Sequence, residues 1–263
     1  MNYLSSYLAL YLYRILLWLA LPIVYVRLLL RTRREPAYAA RRGERFGRVP
    51  VSINPGAIWF HTVSAGESIA AAPLISKMIN SLPEQNFLVT TMTPTGSEQV
   101  LQRLGDSVDH CYAPYDFTFA VGNFLRTTQP RMLVLMETEI WPNLIMQAKA
   151  QDIPVLLINA RMSERSARGY QRISWLSRPV LGAISHIACQ SAEHMQRFVD
   201  LGVDAEKVSV LGSVKYDLQL PERLLKQASL LKAQLNLRTR PVWIAASTHS
   251  GEEEQIIEAH LLL

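Results

Sequence analysis

Glu67 stands in the run His61-Thr62-Val63-Ser64-Ala65-Gly66-Glu67, where an apolar segment gives way to a polar turn. A carboxylate held just after such a segment can accept a proton from a hydroxyl if it faces open space. The same spacing has a structural use, because Ser64 and Glu67 form the S-x-x-E pattern of a capping box. The residue types leave these two uses level. If Glu67 faces a cleft, the positive end of the following helix is expected to keep it ionised at neutral pH. Ser64 and Gly66 share the turn and are candidate ligand contacts.

Further along, Met136-Glu137-Thr138-Glu139-Ile140-Trp141-Pro142-Asn143 sets two carboxylates beside an aromatic residue and a helix-opening proline. One can serve the helix dipole, worth about 0.3 to 1 kcal/mol, but a pair exceeds what capping requires. The run Asn159-Ala160-Arg161-Met162-Ser163 carries an arginine suited to a phosphate or carboxylate. In Gly212-Ser213-Val214-Lys215-Tyr216-Asp217, Lys215 is placed to face charge developing on a leaving phosphate. In Ala246-Ser247-Thr248-His249-Ser250-Gly251, Ser247, Thr248 and Ser250 can donate to a phosphate. Ser250 and Glu253 also repeat the capping-box spacing.

These groups need a scaffold that gathers them. Short β-rich runs alternate with amphipathic segments: Ala57–Val63, Phe87–Thr93, His110–Ala113, Met132–Met136, Val155–Asn159, His186–Cys189 and Val208–Leu211. Such alternation predicts an α/β fold with a mostly parallel sheet covered on both faces. Ligands of these sheets collect at the carboxyl ends of the strands, where the candidate residues fall. Leu218–Leu235 reads as a linker helix and Val242–Ala246 as the first strand of a second α/β unit. One strand and one helix cannot bury a sheet face, so that unit is expected to be incomplete. The expected division is 1–30, an anchor helix; 31–217, a Rossmann-like domain; and 218–263, the linker and second-domain start.

From Tyr3 to Leu30 the chain is nearly continuous in apolar residues, broken by Arg14 and Pro22. Arg27, Arg31, Arg33, Arg34, Arg41, Arg42, Arg45 and Arg48 are crowded into this segment's end and the stretch after it, although the net charge is only +5. The pairing predicts a membrane anchor or in-plane helix beside an anionic surface, with the rest of the chain cytoplasmic. A helix packed on the protein's own surface is the competing arrangement. Cys111 and Cys189 lack C-x-x-C spacing and read as buried thiols. No G-x-G-x-x-G follows the first strand, and Walker, G-x-S-x-G and H-E-x-x-H motifs are absent. The scattered histidines predict no metal site, and nothing points to nucleic acid.

Taken in order, Arg42-Gly43-Glu44-Arg45-Phe46-Gly47, H-x-V-S-x-G-E, T-T-M-T-P-T-G-S, M-E-T-E-I-W-P-N, N-A-R-M-S, G-S-V-K-Y-D and A-S-T-H-S-G-E-E-E resemble the 3-deoxy-D-manno-octulosonic acid (Kdo) transferases of lipopolysaccharide synthesis. The resemblance implies a GT-B fold of two Rossmann-like domains and inverting, metal-independent transfer without a cofactor. It implies CMP-Kdo as donor and a lipid A precursor (lipid IVA) as acceptor at the cytoplasmic face of the inner membrane. Glu67 would be the proton acceptor, and Glu137 and Lys215 would stabilise the transition state. Ser64, Gly66, Arg161, Ser247, Thr248 and His249 would contact substrate. Similar proteins run well beyond this length, so the chain is expected to transfer little sugar alone. The alternatives are another membrane-associated GT-B enzyme using a UDP-sugar, or a non-catalytic module for anionic lipid.

Overall fold

A computed structural model describes residues 3–214, 222–235, 237 and 242–262. The chain divides into two compact units, Met1–Leu218 and Gln219–Leu263. In the first, seven strands form one parallel sheet: β1 (Ile58–His61), β2 (Phe87–Thr91), β3 (Asp109–Tyr112), β4 (Met132–Met136), β5 (Val155–Ala160), β6 (His186–Cys189) and β7 (Val208–Val210). Their spatial order is β3-β2-β1-β4-β5-β6-β7, so the order reverses between β1 and β4. The helices are α1 (Tyr3–Arg34), α2 (Ala65–Ser81), α3 (Pro94–Leu104), α4 (Thr118–Thr128), α5 (Pro142–Ala150), α6 (Glu164–Arg172), α7 (Ser174–Gly182) and α8 (Ala192–Asp200).

Side chains alternate across the sheet with a period of two. Trp59, Leu88, Leu133, Leu135, Leu157 and Ile187 enter one buried cluster, while Ile58, Phe60, Val89, Val134 and Met136 enter the other. All four residues of β1 and all five of β2 are buried, as strands covered on both faces must be. The helices start where their caps dictate. Thr93 Oγ1 accepts from the Gly96 amide with Pro94 in the first turn of α3, and Ser191 accepts from the His194 amide at α8. Cys111 and Cys189 are buried free thiols.

The seven expected strands of the first unit are present, β4 and β6 at their expected limits and the others with an end shifted by a residue or two. Val242–Ala246 departs from expectation, being irregular, with Val242, Trp243 and Ile244 exposed. A strand needs a neighbour to satisfy its amides, and the described part of the second unit offers none. That unit's regular elements are α9 (Glu222–Gln234) and α10 (Glu252–Leu261).

α1 lies against the first unit along its length. Leu10 and Ala9 join a core cluster, Tyr13 Oη donates to Asp116 Oδ2 at 2.8 Å, and Arg14 Nε donates to Asn143 Oδ1 at 2.9 Å. Farther along, Trp18 meets Phe119 at 5.6 Å, Tyr25 meets Phe46 at 6.1 Å and Leu28 is buried. The arginine that interrupts the apolar run is thus turned to the protein. Leu8, Leu12, Ile15, Leu19, Ile23 and Leu30 remain exposed. Asp116 also accepts from the amides of Asn143 and Leu144 at 2.9 and 2.8 Å, so one carboxylate caps α5 and seats α1.

The basic stretch is not uniformly available to an external anion. Arg45 is fully buried, and Arg41 pairs with Glu44 at 2.7 Å. Glu44 also accepts from the Tyr112 amide at 2.8 Å, fixing the short 3-10 turn Arg42–Phe46 beneath the sheet edge. Gly47 closes the turn at φ 84°, and a Cβ there would stand 2.3 Å from the Ala120 carbonyl oxygen. Runs of like charge in sequence do not reveal which members a tight turn withdraws into the core.

Candidate active site

The loops after β1 and β4 carry the principal carboxylates and flank the point where strand order reverses. In parallel sheets a crevice characteristically opens at such a point, because successive crossover helices depart to opposite faces. Ser64 is the N-cap of α2, its hydroxyl accepting from the Glu67 amide at 3.3 Å. Glu67 returns its carboxylate to this turn, with Oε2 accepting from the Val63 amide at 2.9 Å and Oε1 from the Ser64 hydroxyl at 2.8 Å. Capping and chemical readiness therefore coexist: the cap holds the carboxylate in one orientation.

The protonation state differs from expectation. Glu67 is 8% exposed, and its pKa is pushed up to about 7 by burial, with Glu139 and Glu137 adding repulsion. Hydrogen bonds from Val63 and Ser64 oppose the rise without overcoming it. The positive helix end does not keep this group fully ionised at neutral pH, because desolvation is the larger effect. A carboxyl group in this state is suited to exchanging a proton near pH 7. At Gly66 an added Cβ would meet only Ser64 Oγ, at 3.9 Å, so the turn's outer face is open to a ligand.

Glu137 follows β4 with a left-handed φ of 53°, its amide donating to the Ile158 carbonyl at 3.0 Å. Its carboxylate pairs with Arg161 Nε at 3.1 Å, joining the ends of β4 and β5. Glu139 accepts from Trp141 Nε1 at 2.8 Å, and burial raises its pKa. Trp141 packs edge-on against His61 at 4.6 Å. His61 is wholly buried and its pKa falls to about 3, so it is a neutral wall and no proton carrier near pH 7. Three carboxylates and one exposed arginine are thus gathered at the switch point. Lys215 lies outside the described residues.

In the second unit, Ser247 takes a φ of 59° and Thr248 Oγ1 donates to Glu253 Oε1 at 2.7 Å. The His249 amide donates to Glu252 Oε2 at 2.8 Å. The expected Ser250–Glu253 box is not formed: Gly251 is the N-cap of α10, in a left-handed conformation without a side-chain cap. Thr248, three residues earlier, takes the glutamate instead.

Sequence reading missed Asp116. Its pKa rises to about 7 through burial, against the bonds from Asn143, Tyr13 and Leu144. It lies between Tyr115 and Phe117 with no helix pattern of its own, and its partners come from distant segments.

Residues 40–218 match the model of the 3-deoxy-D-manno-octulosonic-acid transferase (kdotransferase) family. The chain belongs to this family. The Kdo transferase of Haemophilus influenzae is 39% identical over 253 residues, covering 95% of this chain and 59% of the relative. A probable mitochondrial Kdo transferase of Arabidopsis thaliana is 34% identical, covering 96% and 57%. That of Bordetella pertussis is 33% identical, covering 90% and 56%. The chain thus spans a little over half the length of these Kdo transferases. Among solved structures, UDP-GlcNAc 2-epimerase from Neisseria meningitidis aligns with a TM-score of 0.47 at 16% identity, over 68% of this chain and 51% of that one.

Proposed function

We propose that this chain forms the acceptor-side half of a Kdo transferase, with Glu67 as the base that activates the acceptor hydroxyl. The buried carboxylate at the switch point, with its pKa near 7, carries this reading. Glu67 takes the hydroxyl proton as the oxygen attacks the anomeric carbon of Kdo. The bond from that carbon to the cytidylate phosphate breaks, and its electron pair leaves on the phosphate oxygen. Glu137, held by Arg161, lowers the energy of positive charge building on the sugar ring. Lys215 and the Ser247-Thr248-His249 turn are assigned to the leaving phosphate. Ser64 and Gly66 border the acceptor.

The acceptor in this proposal is an acylated lipid A precursor and the donor is CMP-Kdo, with inversion in one displacement and no cofactor. α1 brings the enzyme to that lipid at the cytoplasmic face of the inner membrane. Leu8–Arg33 is long and apolar enough to cross a bilayer. Its seat on the first unit supports insertion in the membrane plane with the exposed leucine face in the acyl region.

The test uses this chain alone and joined to the carboxyl-terminal portion of the Haemophilus influenzae relative. Labelled Kdo, activated in place by a synthetase, is offered with a tetra-acylated lipid A precursor. The joined protein is expected to transfer Kdo and to be inhibited by cytidine nucleotides more strongly than by uridine nucleotides. Uridine protection with no Kdo transfer would refute the donor assignment.

A further inference from the structure

Between α1 and the carboxyl ends of β1 and β2 lies a cavity of about 400 Å³ whose walls include Arg27, Arg31, Tyr38, Val63, Thr93 and Tyr115. This falls within the size range of small-molecule sites. Arg27 and Arg31 also border a second cavity with Arg33 and Glu35, where the three cations outnumber the one carboxylate. Arg31 lies over the Tyr38 ring at 4.1 Å, which holds its guanidinium at the wall. Val63 is the residue whose amide binds Glu67, so the cavity abuts the candidate base.

Behind this wall stands Arg45, fully buried, 3.8 Å from the Tyr112 ring centre and 5.5 Å from that of Tyr38. Both terminal nitrogens of its guanidinium lack a hydrogen-bond partner among the described residues. A buried cation with no carboxylate in direct contact is costly, and two aromatic faces with the charge of nearby Glu44 offset only part of that cost. Its fixed charge has a use if the cavity receives an anion. Burial raises the Tyr115 pKa, and the charges of Arg45, Arg31 and Arg27 oppose that rise, so three cations bear on one polar group of the lining. At the cavity's far side Thr93 caps α3, whose positive end adds to the same field.

We propose that Arg27 and Arg31, reinforced by Arg45 behind Tyr38, bind a phosphate monoester of the acylated sugar acceptor and so orient its hydroxyl toward Glu67. The site rests on the acceptor reading above and names the feature of the acceptor that is recognised. A monoester fits because its two negative charges and three free oxygens can occupy two guanidinium groups together.

The experiment measures binding of this chain, in neutral detergent, to a tetra-acylated glucosamine disaccharide bisphosphate and to the same lipid stripped of phosphate. Wild type is expected to bind the phosphorylated lipid at least thirtyfold tighter. Arg27→Gln with Arg31→Gln should reduce that preference to less than threefold at an unchanged melting temperature. Arg103→Gln with Arg131→Gln, which removes equal charge on the side of the sheet where the strands begin, should keep it. Retained preference in the first pair, or equal loss in the second, overturns the site. Equal competition by phosphatidic acid in the same micelles overturns the acceptor assignment in favour of a bulk headgroup. Because the readout is binding, a chain that passes here yet fails to transfer Kdo when joined to the carboxyl-terminal portion of the Haemophilus influenzae relative would disprove the proposed function and leave the phosphate site standing.

Discussion

Glu67 has its opposing effects in plain view. The S-x-x-E spacing predicted both a cap and a base; the side chain forms the cap, with one carboxylate oxygen on the Val63 amide and the other on the Ser64 hydroxyl, and the base role is the one proposed above. What spacing could not convey was burial, which decides the pKa. If Glu67 is the base, kcat should rise with pH and level off above about 7, following the ionised fraction. The stability consequence has the opposite sign. A carboxyl group whose folded pKa is raised binds more protons in the folded than in the unfolded state between about 4.5 and 7. Unfolding free energy therefore falls as pH increases through this window, and above it the penalty is on the order of 3 kcal/mol. Glu67→Gln should flatten that slope by about 1 kcal/mol per pH unit and leave the protein no less stable at pH 8, as read by urea unfolding from pH 5 to 8.

The parallel sheet was legible in the sequence because doubly covered strands read as short apolar runs, and β4 and β6 match their expected limits. Val242–Ala246 has the same composition without becoming a strand, since composition does not supply a neighbour to pair with. α1 was legible as apolar, but its docking was not, because Asp116 and Asn143 lie more than a hundred residues away. Asp116→Ala leaves the Tyr13 hydroxyl and two α5 amides without their acceptor. It should lower stability by about 3 kcal/mol, measured by chemical denaturation. Gly47→Ala forces a left-handed φ on alanine and drives its Cβ against Ala120. A loss of about 2 to 4 kcal/mol is expected by the same measurement, whereas Gly56→Ala, where nothing lies within 4 Å, should lose less.

At the scale of the molecule, the chain combines an α/β unit whose gathered carboxylates sit at the strand-order reversal with a helix that keeps one face for the protein and one exposed. If that face meets the bilayer, replacing Leu12, Leu19 and Ile23 by lysine should cut co-sedimentation with vesicles more than tenfold without lowering the melting temperature. Binding of the unaltered chain to anionic vesicles should also weaken in high salt, because the exposed Arg27 and Arg31 contribute only while unscreened. The central proposal is that Glu67 activates the acceptor, a role that the carboxylates gathered at the switch point support. The most direct test compares wild type with Glu67→Gln, each joined to the carboxyl-terminal portion of the Haemophilus influenzae relative, in labelled Kdo transfer and in acceptor binding. The account predicts a loss of at least a thousandfold in transfer with acceptor binding within threefold of wild type. Transfer by Glu67→Gln within tenfold of wild type would contradict it.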